Sequence, residues 1–221
     1  APVPLEADLV YTYDPEWVDI APSRMATAET YIELEGRTAY GDRSDIDFHV
    51  TSADWQESDR VFAGSLTALG ARTGVFPVGG HGTFDGVLLN DVRSPRIEGR
   101  FAGERMRGFD VVWGTVTGFA AVENSYADVS DTLIVDGEST MRADGRYSLG
   151  FPRQDGGEEI DARILLTNRP LTDLRHAFEL DDYDLDGAFS GEFRVFGAYL
   201  TPFGFGQMSI APGTSYGEAF E

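Results

Sequence analysis

Residues 16–41 read EWVDIAPSRMATAETYIELEGRTAYG, and residues 125–150 read SYADVSDTLIVDGESTMRADGRYSLG. The two stretches align without a gap. Asp19 meets Asp128, Glu29 meets Glu138, Gly36 meets Gly145, Arg37 meets Arg146 and Gly41 meets Gly150. Apolar and aromatic positions agree as well: Trp17 with Tyr126, Ile20 with Val129, Met25 with Ile134, Ile32 with Met141. A second block follows each copy in the same order. Gly82, Phe84 and Gly86 map to Gly187, Phe189 and Gly191, while Pro95 and Gly99 map to Pro202 and Gly206. Blocks that recur in order at offsets of roughly 107 residues point to tandem units. We expect a first unit over residues 1–122 and a second, truncated unit over 123–221, together one continuous structural domain.

Inside each unit the hydrophobic period is two. Ile46, Phe48 and Val50 alternate with Asp45, Asp47 and His49; Phe109, Val111 and Trp113 with Asp110 and Val112; Ile160, Ala162 and Ile164 with Asp161 and Arg163. One apolar and one polar face is the pattern of an antiparallel sheet packed on one side. Each unit also carries one short helical pattern. SADWQESDRVFAGSLTALG (52–70) offers Ser52 as N-cap, apolar Val61, Phe62, Leu66 and Leu69, and a terminating Gly70. RPLTDLRHAFEL (169–180) is the shorter counterpart, with Pro170 suited to a first helical turn.

Composition narrows the function classes. The 221 residues hold 38 acidic and 17 basic side chains, a formal net charge of −21. Such a chain repels phosphate backbones and anionic headgroups, which argues against nucleic-acid binding. There is no cysteine, hence no disulfide, thiol nucleophile or thiolate metal site. No apolar run reaches the ~18 residues of a membrane span. Starting without Met, the chain reads as a mature or excised piece whose anchor would lie outside it.

The stretch DDYDLDGAFSGEF (181–193) spells half of a calcium loop, with Asp182, Asp184 and Asp186 two apart and then Gly187. Counted from Asp182, the twelfth position is Phe193, and Glu192 stands one early. No helical pattern follows, and the first unit's GGHGTFDG has no acid ladder. A polar turn entering a strand is the reading; calcium at the three aspartates is the alternative. His49, His81 and His176 are too far apart to suggest a metal cluster, and no nucleophile elbow accompanies them. VGGHGTFDG lacks the lysine and helix of a phosphate loop and reads as a hairpin. Glu158 and Glu159, adjacent on a strand, would point to opposite faces. Trp17, Trp55 and Trp113 fit a core or groove lining better than a sugar-stacking platform. No catalytic set converges, so we expect no enzyme and no cofactor.

Gly82-Thr83-Phe84-Asp85-Gly86, Pro95-Arg96-Ile97-Glu98-Gly99, FDVVWG (109–114), ADGRYSLG (143–150), DLRHAF (173–178) and the second set from Gly187 to Gly206 resemble the AsmA-like superfamily. The closest likeness is to TamB-type translocation and assembly module proteins, and it covers nearly the whole chain. It implies a mainly β fold: an elongated, incompletely closed antiparallel sheet, a β-taco or repeating β-groove, with one short helix per repeat. It further implies a periplasmic segment of a protein anchored in the inner membrane. Such a groove conducts phospholipid acyl chains between membranes, with an outer-membrane assembly protein as partner. No catalytic residue carries over. An acyl chain needs only a continuous apolar lining, at about 0.8 kcal/mol per buried methylene. The expected lining is Ile32, Leu34, Ile46, Phe48, Phe84, Leu88, Ile97, Phe101, Phe109, Val111, Trp113, Phe119, Met141, Ile160, Ile164, Phe189, Phe193 and Phe205. The competing expectation is a carbohydrate-binding β-sandwich, calcium-assisted through the aspartates. A scaffold binding protein at an open sheet edge is a third.

Overall fold

The structure is a computed structural model that describes residues 4–39, 43–68, 78–91, 94–108, 110–124, 126–148, 159–177, 180–198 and 201–220, the side chains of 62 and 65–68 excepted. The first stretch forms β1 (Glu6–Asp8), β2 (Tyr11–Tyr13), β3 (Val18–Ala26), β4 (Thr30–Ala39), β5 (Arg43–Ser52), α1 (Trp55–Ala68), β6 (Gly79–Asn90), β7 (Arg96–Gly108) and β8 (Val111–Glu123). The remainder forms β9 (Tyr126–Asp136), β10 (Ser139–Ser148), β11 (Ile160–Pro170), α2 (Leu171–Ala177), β12 (Leu185–Ala198), β13 (Thr201–Ser215) and β14 (Glu218–Phe220). The strands make one antiparallel sheet in chain order, with β2 beside β1 on the outer edge of β3. The sheet is not closed. Its two ends are the short strands β1 and β2, and β13 with β14. The expected mainly β, open antiparallel architecture with one short helix in each half is thus the observed fold.

The sequence repeat is a structural repeat in the first hairpin of each half. Asp19 pairs with Arg37 across β3 and β4, and Asp128 with Arg146 across β9 and β10. Both pairs are ion pairs, at 2.5 and 2.6 Å. Arg37 stacks on Trp17 and Arg146 on Tyr126, at 5.2 and 5.4 Å from the ring centroids. On the other face Met25 stands opposite Ile32, and Ile134 opposite Met141. The second blocks keep the order but slip by two residues. Gly86 stands opposite Phe48, whereas Gly191 stands opposite Leu166. A bulge between Leu166 and Arg169, with no counterpart in β5, adds one further residue of offset at Phe189. Residue 122 lies near the end of β8, which pairs with β9 from Thr115 to Glu123.

Both helices lie on the apolar face. α1 is capped by Asp54, whose carboxylate accepts the Gln56 N–H at 3.0 Å. Ser52 was expected in that role. It is instead the last residue of β5, opposite Gly82, and its hydroxyl accepts from Ser58 of α1 at 2.6 Å. Ser58 also bonds Thr30 on β4 at 2.7 Å, so three buried hydroxyls fix the helix to the sheet. Trp55 packs on Phe101 (ring centroids 5.0 Å apart) within a core of Ile32, Val50 and Met106. Val61 is half-buried; Leu69 and Gly70, and the side chains of Phe62 and Leu66, lie outside the described residues. α2 starts directly after Pro170, the last residue of β11, and packs Leu171 and Leu174 against Leu166 and Phe189.

Candidate functional site

Following the register across the sheet shows how the apolar face is built. One row runs Met25, Ile32, Val50, Phe84, Phe101, Gly118. The next runs Ser23, Leu34, Phe48, Gly86, Gly99, Ala120, Val129, Gly145, Ala162, Val195, Gly204. A third runs Ile20, Gly36, Ile46, Leu88, Ile97, Val122, Ala127, Tyr147, Ile160. The middle row is mostly small, and aromatic rings lie over it. Phe48 and Phe84 stack at 5.7 Å, and both rings reach over Gly86. In the second half Phe189 and Phe193 stack at 5.7 Å, with Phe193 over Gly191 and Gly206. The result is a thin apolar layer on a single sheet.

The two helices cover only part of this layer. Leu34, Ile46, Phe48, Phe84, Leu88, Ile97, Phe101, Met141, Ile160, Ile164 and Phe193 are half-buried, whereas Ile32, Val111 and Phe189 are buried. Total accessible surface is 13561 Å² for 24.2 kDa. A compact monomer of this mass would expose about 10,000 Å². Among the described residues the apolar face has no second sheet over it. The opposite face is polar and laced with ion pairs: Arg96 with Glu98 on its own strand and, across strands, Arg96 with Glu123, Arg194 with Asp161, and Arg163 with Glu192. Exposed pairs of this kind add about 0.2–1 kcal/mol each at most, so they set register and solubility more than stability.

Two residues expected on the apolar face stand on the polar one. Phe119 is opposite Arg100 and Ser130. Trp113 is an extra residue in β8, where Met106 pairs with Gly114 and Arg107 with Val112, and the bulge reverses the alternation beyond it. Phe205 is opposite Arg194 and exposed, because β13 turns its glycines Gly204 and Gly206 inward against Val195 and Phe193. An inward glycine leaves no hydrophobic signal, so the alternation in FGFG is legible while its direction is not. Phe109 and Glu158 lie outside the described residues.

Trp113 does not line an open surface either. Its indole N–H donates to the Gly108 carbonyl at 2.9 Å, and the Arg169 guanidinium sits 4.8 Å from its ring centroid. Arg169 is only 1% exposed. It donates to Asp173 at 2.7 Å and to the Val112 carbonyl at 2.8 Å, with Asp136 at 3.6 Å. This guanidinium ties β11, α2, β8 and β9 together. Its importance is invisible in sequence, where one arginine before a proline reads as a surface residue.

The polar candidates are dispersed. Asp182 and Asp184 lie exposed in the segment before β12, and Asp186 pairs with Arg175 at 3.3 Å. Among the described residues no three histidine or acidic side chains come together as a metal site. His49 bonds Asp85 at 2.5 Å, His81 faces Glu104 at 3.4 Å, and His176 bonds Asp181 at 3.0 Å. These are three separate pairs on the surface. Among the described residues no helix is long and apolar enough to cross a membrane.

Tyr147, in the third apolar row, has its phenol pushed above the ordinary value of 10.0, first by burial and then by the charge of Asp144. A folded-state value above the unfolded one means stability is intact below pH 10 and falls as pH rises past it. Denaturant midpoints measured from pH 8 upward should therefore drop above pH 10. The Tyr147→Phe variant should drop less; equal losses in both proteins would remove burial of this phenol as the cause.

Compared with known proteins, the chain matches no family model, no curated protein and no solved structure.

Proposed function

We propose that this chain is a non-catalytic segment of a bacterial envelope protein whose open apolar sheet face carries phospholipid acyl chains. The supporting observation is the half-exposed apolar layer on a single unclosed sheet, opposite a charged face. A soluble monomer rarely leaves a contiguous apolar surface of this kind without an occupant. An acyl chain suits it because the layer offers shape and no directional polar partners. The resemblance to TamB-type proteins is what supports reading the segment as periplasmic, part of a longer protein anchored in the inner membrane that works with an outer-membrane assembly partner.

The test is native mass spectrometry of the purified chain with lipid extraction, with and without calcium. Copurifying phospholipid or fatty acid is the expected result. Leu88 and Ile97 face each other on the apolar face away from the α1 core. The double variant Leu88→Asn/Ile97→Asn, shown folded by circular dichroism, should retain at least about tenfold less lipid, since a buried unpaired amide costs ~1–3 kcal/mol. An empty wild-type protein that also fails to take up added phospholipid would sink the proposal. Mass gained only with calcium would return Asp182, Asp184 and Asp186 to consideration as a binding module.

A further inference from the structure

Trp55 has a single polar side-chain atom, and among the described residues nothing accepts from it. The residue is 7% exposed, and its indole N–H is buried without a hydrogen-bond partner. Such a donor is uncommon, because a hydrogen bond left unmade in the interior costs more than a made one gains. Trp113 shows the usual arrangement, with its N–H on the Gly108 carbonyl. Arg169 and Arg175 also leave one nitrogen unpaired, but their other nitrogens are engaged. Trp55 has no second group to engage.

The surroundings explain why the protein does not supply an acceptor. Trp55 begins α1 and lies on Phe101, in the cluster with Ile32, Val50 and Met106. The hydroxyls closest in sequence, Ser52 and Ser58, are bonded to each other, and Ser58 also to Thr30. Phe48, Phe84 and Phe101 pack against the same cluster and are half-buried. The open apolar layer and the unpaired donor therefore share a border, at the edge of α1.

We propose that the Trp55 indole N–H donates to the ester carbonyl of a phospholipid whose acyl chain lies in the open layer. This rests on the acyl-chain reading above and adds the point on the sheet where the apolar chain ends and its polar linkage begins. The exposed part of the layer offers no polar partner; the donor stands beside it, under α1. It has already lost its water, so an arriving carbonyl gains the bond without desolvating the protein's side of it. A neutral ester suits the place better than a fatty-acid carboxylate. A buried carboxylate needs a cation, and the cluster has none. The net charge of −21 repels it further. Because the N–H is covered in the lipid-free protein, the acyl chain brings the carbonyl in between α1 and the sheet.

The three tryptophans give three indole signals in proton–nitrogen correlation spectra of the isotope-labelled chain, and Trp55→Phe identifies the one in question. The probes are dipalmitoyl phosphatidylcholine and its dihexadecyl diether, which differ only in the carbonyls, with sodium palmitate as a third. The diester should shift the Trp55 signal downfield and be retained about three- to tenfold better than the diether, the worth of one hydrogen bond. Trp55→Phe should retain diester and diether equally. If that variant does not fold, the wild-type preference between the two lipids decides. Equal retention by the wild type with the Trp55 signal unmoved would overturn this inference and leave the acyl-chain reading standing. A shift with palmitate and none with the diester would overturn the ester assignment. Failure to bind any of the three would overturn the acyl-chain reading and this inference with it.

Discussion

Arg169→Ala is expected to destabilise the protein by about 3 kcal/mol, the low end of what removing one partner from a buried ion pair costs. The low end applies because Asp173 and Asp136 remain 31% and 48% exposed and can rehydrate. The loss has three sources. α2 loses its anchor at Asp173, the Val112 carbonyl loses a donor, and Trp113 loses the cation over its ring. Arg169→Met should cost less than Arg169→Ala, since it keeps most of the buried volume. Arg169→Lys should not restore stability, because one ammonium cannot reach the carboxylate, the carbonyl and the ring together. Urea midpoints of the three variants, with a double-mutant cycle against Asp173→Asn, measure this. A cost for the alanine variant below about 1 kcal/mol, or no coupling to Asp173, would show that α2 is held by Leu171 and Leu174 alone.

Gly36→Val is expected to cost about 2–6 kcal/mol, from backbone strain of ~1–3 and overpacking of ~1–3 kcal/mol. Gly36 has φ +143°, and a Cβ there would lie 2.2 Å from the Asp45 carbonyl oxygen. That contact is backbone in the neighbouring strand, so no rotamer change relieves it. The repeat makes the prediction double. At Gly145 a Cβ would meet the Asp161 carbonyl at 2.4 Å, so Gly145→Val should fail similarly. Gly137 is the control. It has φ +59° in a turn with nothing within 4 Å of a Cβ, and Gly137→Ala should cost only the ~1–2 kcal/mol of a left-handed residue. Thermal unfolding of the three variants decides the matter. A mild Gly36→Val alongside an equally mild Gly137→Ala would mean that β4 and β5 can separate without loss.

Much of the fold is legible because its signals are local. Alternation in IDFHV and IDARI predicts one-sided strands, and the aligned pairs Asp19–Arg37 and Asp128–Arg146 stand at matching places in two hairpins of the structure. The structure departs from the expected faces for two different reasons, a one-residue bulge in β8 and inward glycines in β13. Trp113 reverses the alternation of β8 and moves Phe119 to the polar face, and inward glycines on β13 do the same for Phe205. Neither leaves a trace in hydropathy. Ser52 failed differently, because Asp54 two residues later was also a good cap and Ser52 was needed to complete the hydroxyl cluster with Ser58 and Thr30.

By itself the sequence determined that this protein would be one-sided sheet, repeated, strongly acidic on its polar side and without cysteine chemistry. Each of these depends only on residue type and spacing of two. The tertiary structure alone decided that the sheet stays open and that the apolar layer is left half-exposed between two short helices. Closure depends on bulges and turns summed over fourteen strands and on what covers each face. It also placed Arg169 in the interior, where contacts from β8, β9 and α2 converge on one side chain. Alternation specifies which side of a strand is apolar; it carries no information about what, if anything, lies against that side.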